Sequence, residues 1–489
     1  MKVDRSGAAA PWSRPNLFDR NIAMTSQASL DAVLSQVDAG LDESLERLKA
    51  LLRIKSISTD PAFAAECQRA ADWIVGELSG LGFDAAARPT PGHPVVVAHG
   101  PATEGPHVLF YAHYDVQPVD PLNLWHTDPF EPVLKDDAQG RKIIVARGAS
   151  DDKGQMMTFI EACRAWKAVT GSLPVQVSLM LEGEEESGGK NLPPFMEANK
   201  AELAAADIAL VCDTDMWDRQ TPSVTTMLRG LVADEVEITC ANKDLHSGMF
   251  GNAARNPNQV LAEIIASLRA PDGSVTLPGF YDDVAEISPE LRAQWDGLGF
   301  DEKAFLGEAG LSLKAGEQSR SVLEMLWSRP TCEINGMIGG YTGDGFKTVI
   351  PAKASAKISF RLVSGMDPAK IRAAFRKHVE ERVPADCSVK FTPHGASPAI
   401  TVPADGKYLQ QALAALSGEW DKPAVITGSG GSIPVAGDFK KILGLDTLLI
   451  GFAHVDDAIH SPNEKYDLES FHRGIRAWVR VLAGFAAGK

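Results

Sequence analysis

VQVSLMLEGEEESGGK, residues 175–190, begins as a run fit for a buried strand and passes directly into acids: Glu182, Glu184, Glu185 and Glu186. A surface turn accommodates such charge easily, but the approach of a core strand does not suggest a surface turn. In an open α/β sheet, ligand sites lie beyond the carboxyl ends of the strands, so charge gathered there has a possible purpose. Similar short apolar runs occur at VVVAHG (95–100), HVLFYAHYD (107–115), KIIVARG (142–148) and IALVCDTD (208–215). Helical spacing of apolar residues separates them, at 30–52, 64–81 and 153–168. Continuous β-rich runs alternating with helices predict an α/β sheet covered on both faces.

Beyond Trp217 the pattern changes. LVADEVEITC (231–240), AKASAKISFRLV (352–363) and CSVKFTP (387–393) alternate apolar and polar residues, as strands with one solvated face do. Helices are expected at 258–268 and at 368–379, the latter with Asp367 as N-cap and Pro368 in the first turn. From about residue 396 the first texture returns, with ILGLDTLLIGF (442–452) as a buried strand and a closing helix over 468–486. The division that follows is a discontinuous outer domain, 24–220 and 396–489, interrupted by an α+β unit at 221–395.

The outer domain's expected strand ends and loops carry ligand-type residues. YAHYDVQP places His113 and Asp115 on one side of a strand, an imidazole beside a carboxylate as in many metal sites. RGASDDKG adds Asp151 and Asp152, CDTDMW adds Asp213 and Asp215, and AIHSPNEKY adds His460. Two imidazoles with several carboxylates suit two divalent cations, zinc favoured, manganese or cobalt accepted. Taken singly, each motif reads as ordinary polarity: a solvated acidic turn, or an Asp capping a helix.

The ordered set YAHYDVQP, RGASDDKG, LEGEEESGG, CDTDMW, DLHSG, GGSIP and HSPNE resembles the dinuclear zinc metallopeptidases related to carnosine dipeptidase, glutamate carboxypeptidase, acetylornithine deacetylase and succinyl-diaminopimelate desuccinylase. The resemblance spans about residues 40–485, and WHTDPFEP (125–132) together with the long inserted unit is most similar to the dipeptidase branch. It implies a mixed-sheet catalytic domain with a ferredoxin-like inserted unit serving as lid and dimerisation surface. His113, Asp151 and Asp213 would hold one metal and Asp151, Glu186 and His460 the other, with Asp151 bridging. Asp115 would orient His113, and Glu185 would be the general base. The peptide bond between Asp151 and Asp152 would be cis. Glu184 receives no role and is expected in solvent.

The same resemblance makes His246 an oxyanion donor acting across a homodimer, with Asn335 assisting. Thr348 and Arg361 would grip the substrate's free carboxylate, and Ser432 would add a hydrogen bond or backbone donors from its Gly-rich turn. Two departures stand out: Gly428 and Ser429 precede GGSIP where many relatives carry a charged residue, and Gly251-Asn252 replaces a Gly-Gly pair. The first bears on substrate choice.

The activity implied is metal-dependent hydrolysis of dipeptides or short peptides, of dipeptidase or carboxypeptidase type. An N-acyl-amino-acid deacylase shares the whole metal set and is the alternative. A silent metal-binding scaffold is a third reading, disfavoured because the five implied ligands and the base are all present. Composition narrows the field further. The chain has 489 residues, a formal net charge of −16 and six cysteines without a CxxC pair. Such acidity excludes a broad phosphate-binding face, so no nucleic-acid partner is expected. No run approaches the roughly 18 apolar residues that span a bilayer. Scattered cysteines predict free thiols and a cytoplasmic location. The first 23 residues show no apolar signal core and are expected to be a disordered extension ahead of Met24.

Overall fold

The computed structural model describes residues 17–431 and 433–488. Its centre is a nine-stranded mixed sheet, in the order Asp84–Arg88, Val95–His99, Gln176–Glu182, His107–His113, Ile208–Val211, Thr447–Leu449, Ser223–Leu228 and Ile400–Thr401, with Val425–Ser429 also paired to Ser223–Leu228. The run from Gln176–Glu182 through Thr447–Leu449 is parallel, so these strands deliver their carboxyl ends to one edge.

Alternation explains why this sheet is buried on both faces. Along His107–His113, Val108, Phe110 and Ala112 enter one core while Leu109 and Tyr111 enter the other. On the first face Phe110 stacks on Phe159 at 3.8 Å, and the Trp478 ring meets both edge-on at 5.7 and 5.3 Å. Phe159 belongs to the helix Lys153–Thr170 and Trp478 to the helix Leu468–Ala487. Chain segments some 300 residues apart are thus joined by aromatic contacts that stabilise beyond area burial alone. On the other face Tyr111 meets Phe439 edge-on at 5.8 Å.

A second, four-stranded antiparallel sheet has the order Thr331–Gly339, Lys353–Leu362, Gly230–Thr239, Ser388–Ser397. With the helices Pro257–Ala266 and Pro368–Glu380 it forms the β-α-β-β-α-β arrangement of a ferredoxin-like unit. Its two central strands, Gly230–Thr239 and Lys353–Leu362, alternate buried with more exposed residues, and Val236, Ile358, Phe360 and Phe375 lie in a core of their own. Asp367 caps its helix by accepting from Ala369 N. Among the described residues, no helix is long and apolar enough to cross a membrane.

Several expectations are corrected. Ser223–Leu228 falls inside the span expected for the inserted unit, yet it is nearly continuously buried and pairs in the large sheet. KIIV (142–145) forms a small antiparallel sheet with Val133–Asp136 and Lys465–Asp467 instead of joining the large one. Only Thr447–Leu449 of ILGLDTLLIGF is strand, because the chain closes a helical turn at Gly444, whose φ of 78° suits glycine. The helical pattern over 30–52 is two helices, Leu17–Ala39 and Leu41–Leu52, meeting at Gly40. The first begins within the stretch expected to be disordered, while residues 1–16 lie outside the described residues.

Phe159→Ala should cost about 3–5 kcal/mol, because the stack under Trp478 cannot close over the cavity it leaves. Urea unfolding measures this, and a loss below about 1 kcal/mol would show that the aromatic cluster is not central to the core.

Candidate metal centre

Three parallel strands supply the first side chains. His113 ends its strand, Asp213 follows Val211, and Gln176–Glu182 leads into the turn Glu185–Ser187. Asp151 comes from the turn between the small antiparallel sheet and the helix Lys153–Thr170, and the Asp151–Asp152 peptide bond is cis. His460 arrives on the loop after Thr447–Leu449, with a left-handed φ of 60° that histidine adopts more readily than bulkier or branched residues.

Asp151 stands between the two imidazoles. Its Oδ1 lies 3.0 Å from His113 Nε2 and its Oδ2 lies 2.9 Å from His460 Nε2, which is also 3.2 Å from Glu186 Oε2. Two overlapping donor groups result, His113–Asp151–Asp213 and Asp151–Glu186–His460, each with ligand atoms within 4.8 Å of one another. Oxygen and imidazole donors at this separation fit divalent cations of the zinc, manganese or cobalt type.

The charges in the cluster respond to one another. Burial works to lower the His113 imidazole, but its contacts with Asp115 and Asp151 prevail and hold its pKa well above the ordinary value. The contacts of His460 with Asp151 and Glu186 hold it up to about 10. Asp151 is pushed up by burial, yet the two imidazoles pull it below the usual carboxylate range. Burial prevails at Asp213 over the opposing charge of His113 and takes it up to about 7. Burial likewise raises Glu185. A field that retains protons on two histidines and disfavours ionisation of Asp213 and Glu185 is one that attracts cations.

Second contacts hold these groups in place. His113 Nδ1 lies 3.1 Å from the Asp115 carbonyl oxygen and 3.4 Å from its carboxylate. The Asp115 carboxylate also accepts from Glu185 N at 3.3 Å and Glu186 N at 3.0 Å, which pins the acidic turn to the histidine strand. Asp152 Oδ2 accepts from His113 N at 3.1 Å. Glu184 is buried rather than solvated, accepting from Asn191 Nδ2 at 2.7 Å, and Gly92 leaves no room for a Cβ against it.

Two further residues were not expected at the site. Gln117 Nε2 donates to Glu186 Oε2 at 2.6 Å. Glu464, fully buried, accepts from Ser150 N and Asp151 N on one oxygen and from Gly148 N and the Arg147 guanidinium on the other. It lies in the same HSPNE stretch as His460, and its signal was an acid four positions beyond a candidate ligand.

Beside the donors opens a cavity of about 410 Å³, lined by Asp213, Asp215, Trp217, Trp327, Gly428 and Ser429 among others. Trp327 is edge-on to Trp217 at 5.8 Å and to Trp295 at 5.0 Å. Trp327 reaches the cavity from the excursion between the strands Gly230–Thr239 and Thr331–Gly339, and Trp295 behind it anchors that excursion to the large sheet, its Nε1 donating to Ile426 O at 2.9 Å.

His246, Thr348, Arg361 and Asn335 lie elsewhere, on the ferredoxin-like unit and the short strand pair attached to it, and none of the four lines this cavity. His246 faces Val349 across that pair, and just beyond it Ser247 N donates to Thr348 O at 3.1 Å. Arg361 pairs with Thr331 across the sheet, and Asn335 occupies the bulge between Ile334 and Gly336. Ser432 lies outside the described residues.

Glu464→Gln should destabilise the protein by about 3–5 kcal/mol, since it leaves the buried Arg147 without its anion and turns an amide NH₂ toward backbone donors. Unfolding by urea tests this, and an unchanged midpoint would contradict the account of the turn.

The model of peptidase family M20/M25/M40 matches residues 109–484. The Cys-Gly metallodipeptidase of Schizosaccharomyces pombe is 31% identical over 475 residues, covering 94% of this chain and 99% of the relative. The human Beta-Ala-His dipeptidase is 29% identical, covering 94% and 93%. Among solved structures, an M20 family metallo-carboxypeptidase from Sulfolobus solfataricus superposes with a TM-score of 0.75 at 31% identity, covering 91% of this chain and 99% of that one. Matched along most of its length in sequence and in fold, the chain belongs to peptidase family M20/M25/M40.

Proposed function

We propose that the protein is a metal-dependent dipeptidase, acting on dipeptides or short peptides with a free C-terminal carboxylate. The observation that carries this reading is the placement of Asp151, one oxygen toward each imidazole, at the junction of the two donor groups. Relatives named as dipeptidases, similar over nearly the full length, support the substrate class.

In this reading His113 and Asp213 complete one ligand set, Glu186 and His460 the other, and Asp151 serves both. Two divalent cations held there, zinc in the first instance with manganese or cobalt as substitutes, would supply Lewis acidity and would lower the pKa of water. Asp115 keeps the His113 ring in orientation, and Gln117 does the same for Glu186. Glu185 takes a proton from the attacking water and returns it to the leaving amine. Its pKa, raised by burial, suits a group that must do both. Thr348 and Arg361 take the substrate's carboxylate, Arg361 as a two-pronged donor, and Ser432 adds a further hydrogen bond to the substrate.

We assign His246, with Asn335, to the developing negative charge on the carbonyl oxygen, His246 reaching the site from a second subunit. The exposed apolar residues Met337 and Ile338 on the edge strand Thr331–Gly339 support a homodimer, since an open apolar edge invites pairing. The ferredoxin-like unit then serves as both lid and dimer surface. The spread of unlinked cysteines favours the cytoplasm.

Glu185→Gln should leave cation content unchanged and lower turnover about 10²–10⁴-fold, whereas Asp151→Ala should lose both cations. Elemental analysis alongside hydrolysis of dipeptide and N-acyl amino acid panels reads both effects. Preference for the acylated panel would replace the dipeptidase by a deacylase, and a fully active Glu185→Gln would remove the assigned base. Ile338→Glu should convert a dimer into a monomer by light scattering after gel filtration; a monomeric wild type would defeat the shared-site arrangement.

A further inference from the structure

Six cysteines are distributed unevenly between core and surface. Cys67, Cys163, Cys212 and Cys332 are buried, whereas Cys240 and Cys387 are part-exposed. These two also meet. Antiparallel pairing sets Ile238 opposite Val389 and Thr239 opposite Ser388, so the next position outward sets Cys240 opposite Cys387. Their Sγ atoms are 2.8 Å apart, closer than non-bonded sulfurs pack and about 0.8 Å beyond the bonded length of about 2.0 Å. The backbone on each side is anchored, Cys240 N to Ala352 O at 3.0 Å and Cys387 N to Pro384 O at 2.9 Å. The pair therefore faces without chain rearrangement.

We propose that Cys240 and Cys387 form a thiol–disulfide exchange site that takes low-molecular-weight disulfides and closes to a reversible cross-strand bond. One cysteine, as thiolate, attacks a sulfur of the incoming disulfide and expels the first small thiolate. The second cysteine gives up its proton, attacks the mixed disulfide at the first cysteine and expels the other. Two protein thiols are oxidised and the incoming disulfide is reduced to two thiols, which carry away both protons. Burial, with Cys387 next to it, holds the Cys240 thiol up to about 12, so the reaction quickens as pH rises. The bond would tie the end of Gly230–Thr239 to the start of Ser388–Ser397, at the point where the chain departs toward His246.

The test treats the full-length protein with oxidised glutathione, alkylates the remaining thiols and maps peptides by mass spectrometry. Expected are the loss of about two thiols, a linked peptide pair holding Cys240 and Cys387, and full reversal by dithiothreitol. Oxidation should raise the melting temperature of the wild type. In Cys387→Ser that shift and the cross-link should both vanish, leaving at most a glutathione adduct on Cys240. If the variant does not fold, the wild-type map decides alone. Retention of all six thiols, adducts that never resolve into a pair, or a bond to any other cysteine would overturn the proposal.

Discussion

Carboxylates crowded out of water repel one another, and they remain ionised together only where positive charge stands among them. Asp151, Asp213, Glu185 and Glu186 are crowded in this way at the carboxyl edge of the parallel strands, and burial raises Asp213 and Glu185. Two imidazoles supply part of the compensation, and both are driven toward their charged forms by the acids that face them. The surrounding contacts follow from the same demand. Asp115 gathers the backbone N–H groups of the acidic turn, and Glu464 gathers those of the turn that carries Asp151. Without those fixed donors the acids would have to separate.

Much of this could be read in the chain itself. Runs such as HVLFYAHYD and VQVSLMLEG contain a strand and its terminal ligand-type residue in one continuous signal, so the central sheet and its acidic edge were legible. Alternation in LVADEVEITC and AKASAKISFRLV equally marked a sheet with one solvated face. What escaped depends on contacts between distant segments. Glu464 has meaning only beside Gly148 and Asp151, and Glu184 has a buried partner only because Asn191 folds back over it. Ser223–Leu228 escaped because its polar threonines disguise a strand buried in the large sheet. KIIV was misplaced because a short apolar run does not say which sheet it joins.

The excursion between Ala270 and Thr331 shows how an insertion can serve two structures. It leaves the ferredoxin-like unit, docks the helices Pro289–Asp296 and Val322–Trp327 against Val425–Ser429 of the large sheet, and supplies Trp327 to the cavity with Trp295 packed behind it. A capping box at Ser321 and Glu324 starts the last of those helices cleanly, so the wall bearing Trp327 is locally well defined. In sequence this stretch offered only Gly and Pro punctuation, because its apolar residues pack against a sheet formed by other parts of the chain.

The route of the chain through the large sheet bears on its synthesis. Thr447–Leu449, Val425–Ser429 and the helix bearing Trp478 are all translated after the ferredoxin-like unit, although they pair with strands made long before. On the ribosome the early strands must wait with apolar faces uncovered and their acids without His460 or Glu464. Contacts so remote in sequence close slowly. Until those later segments are made, part of the apolar surface of the early strands has nothing to pack against.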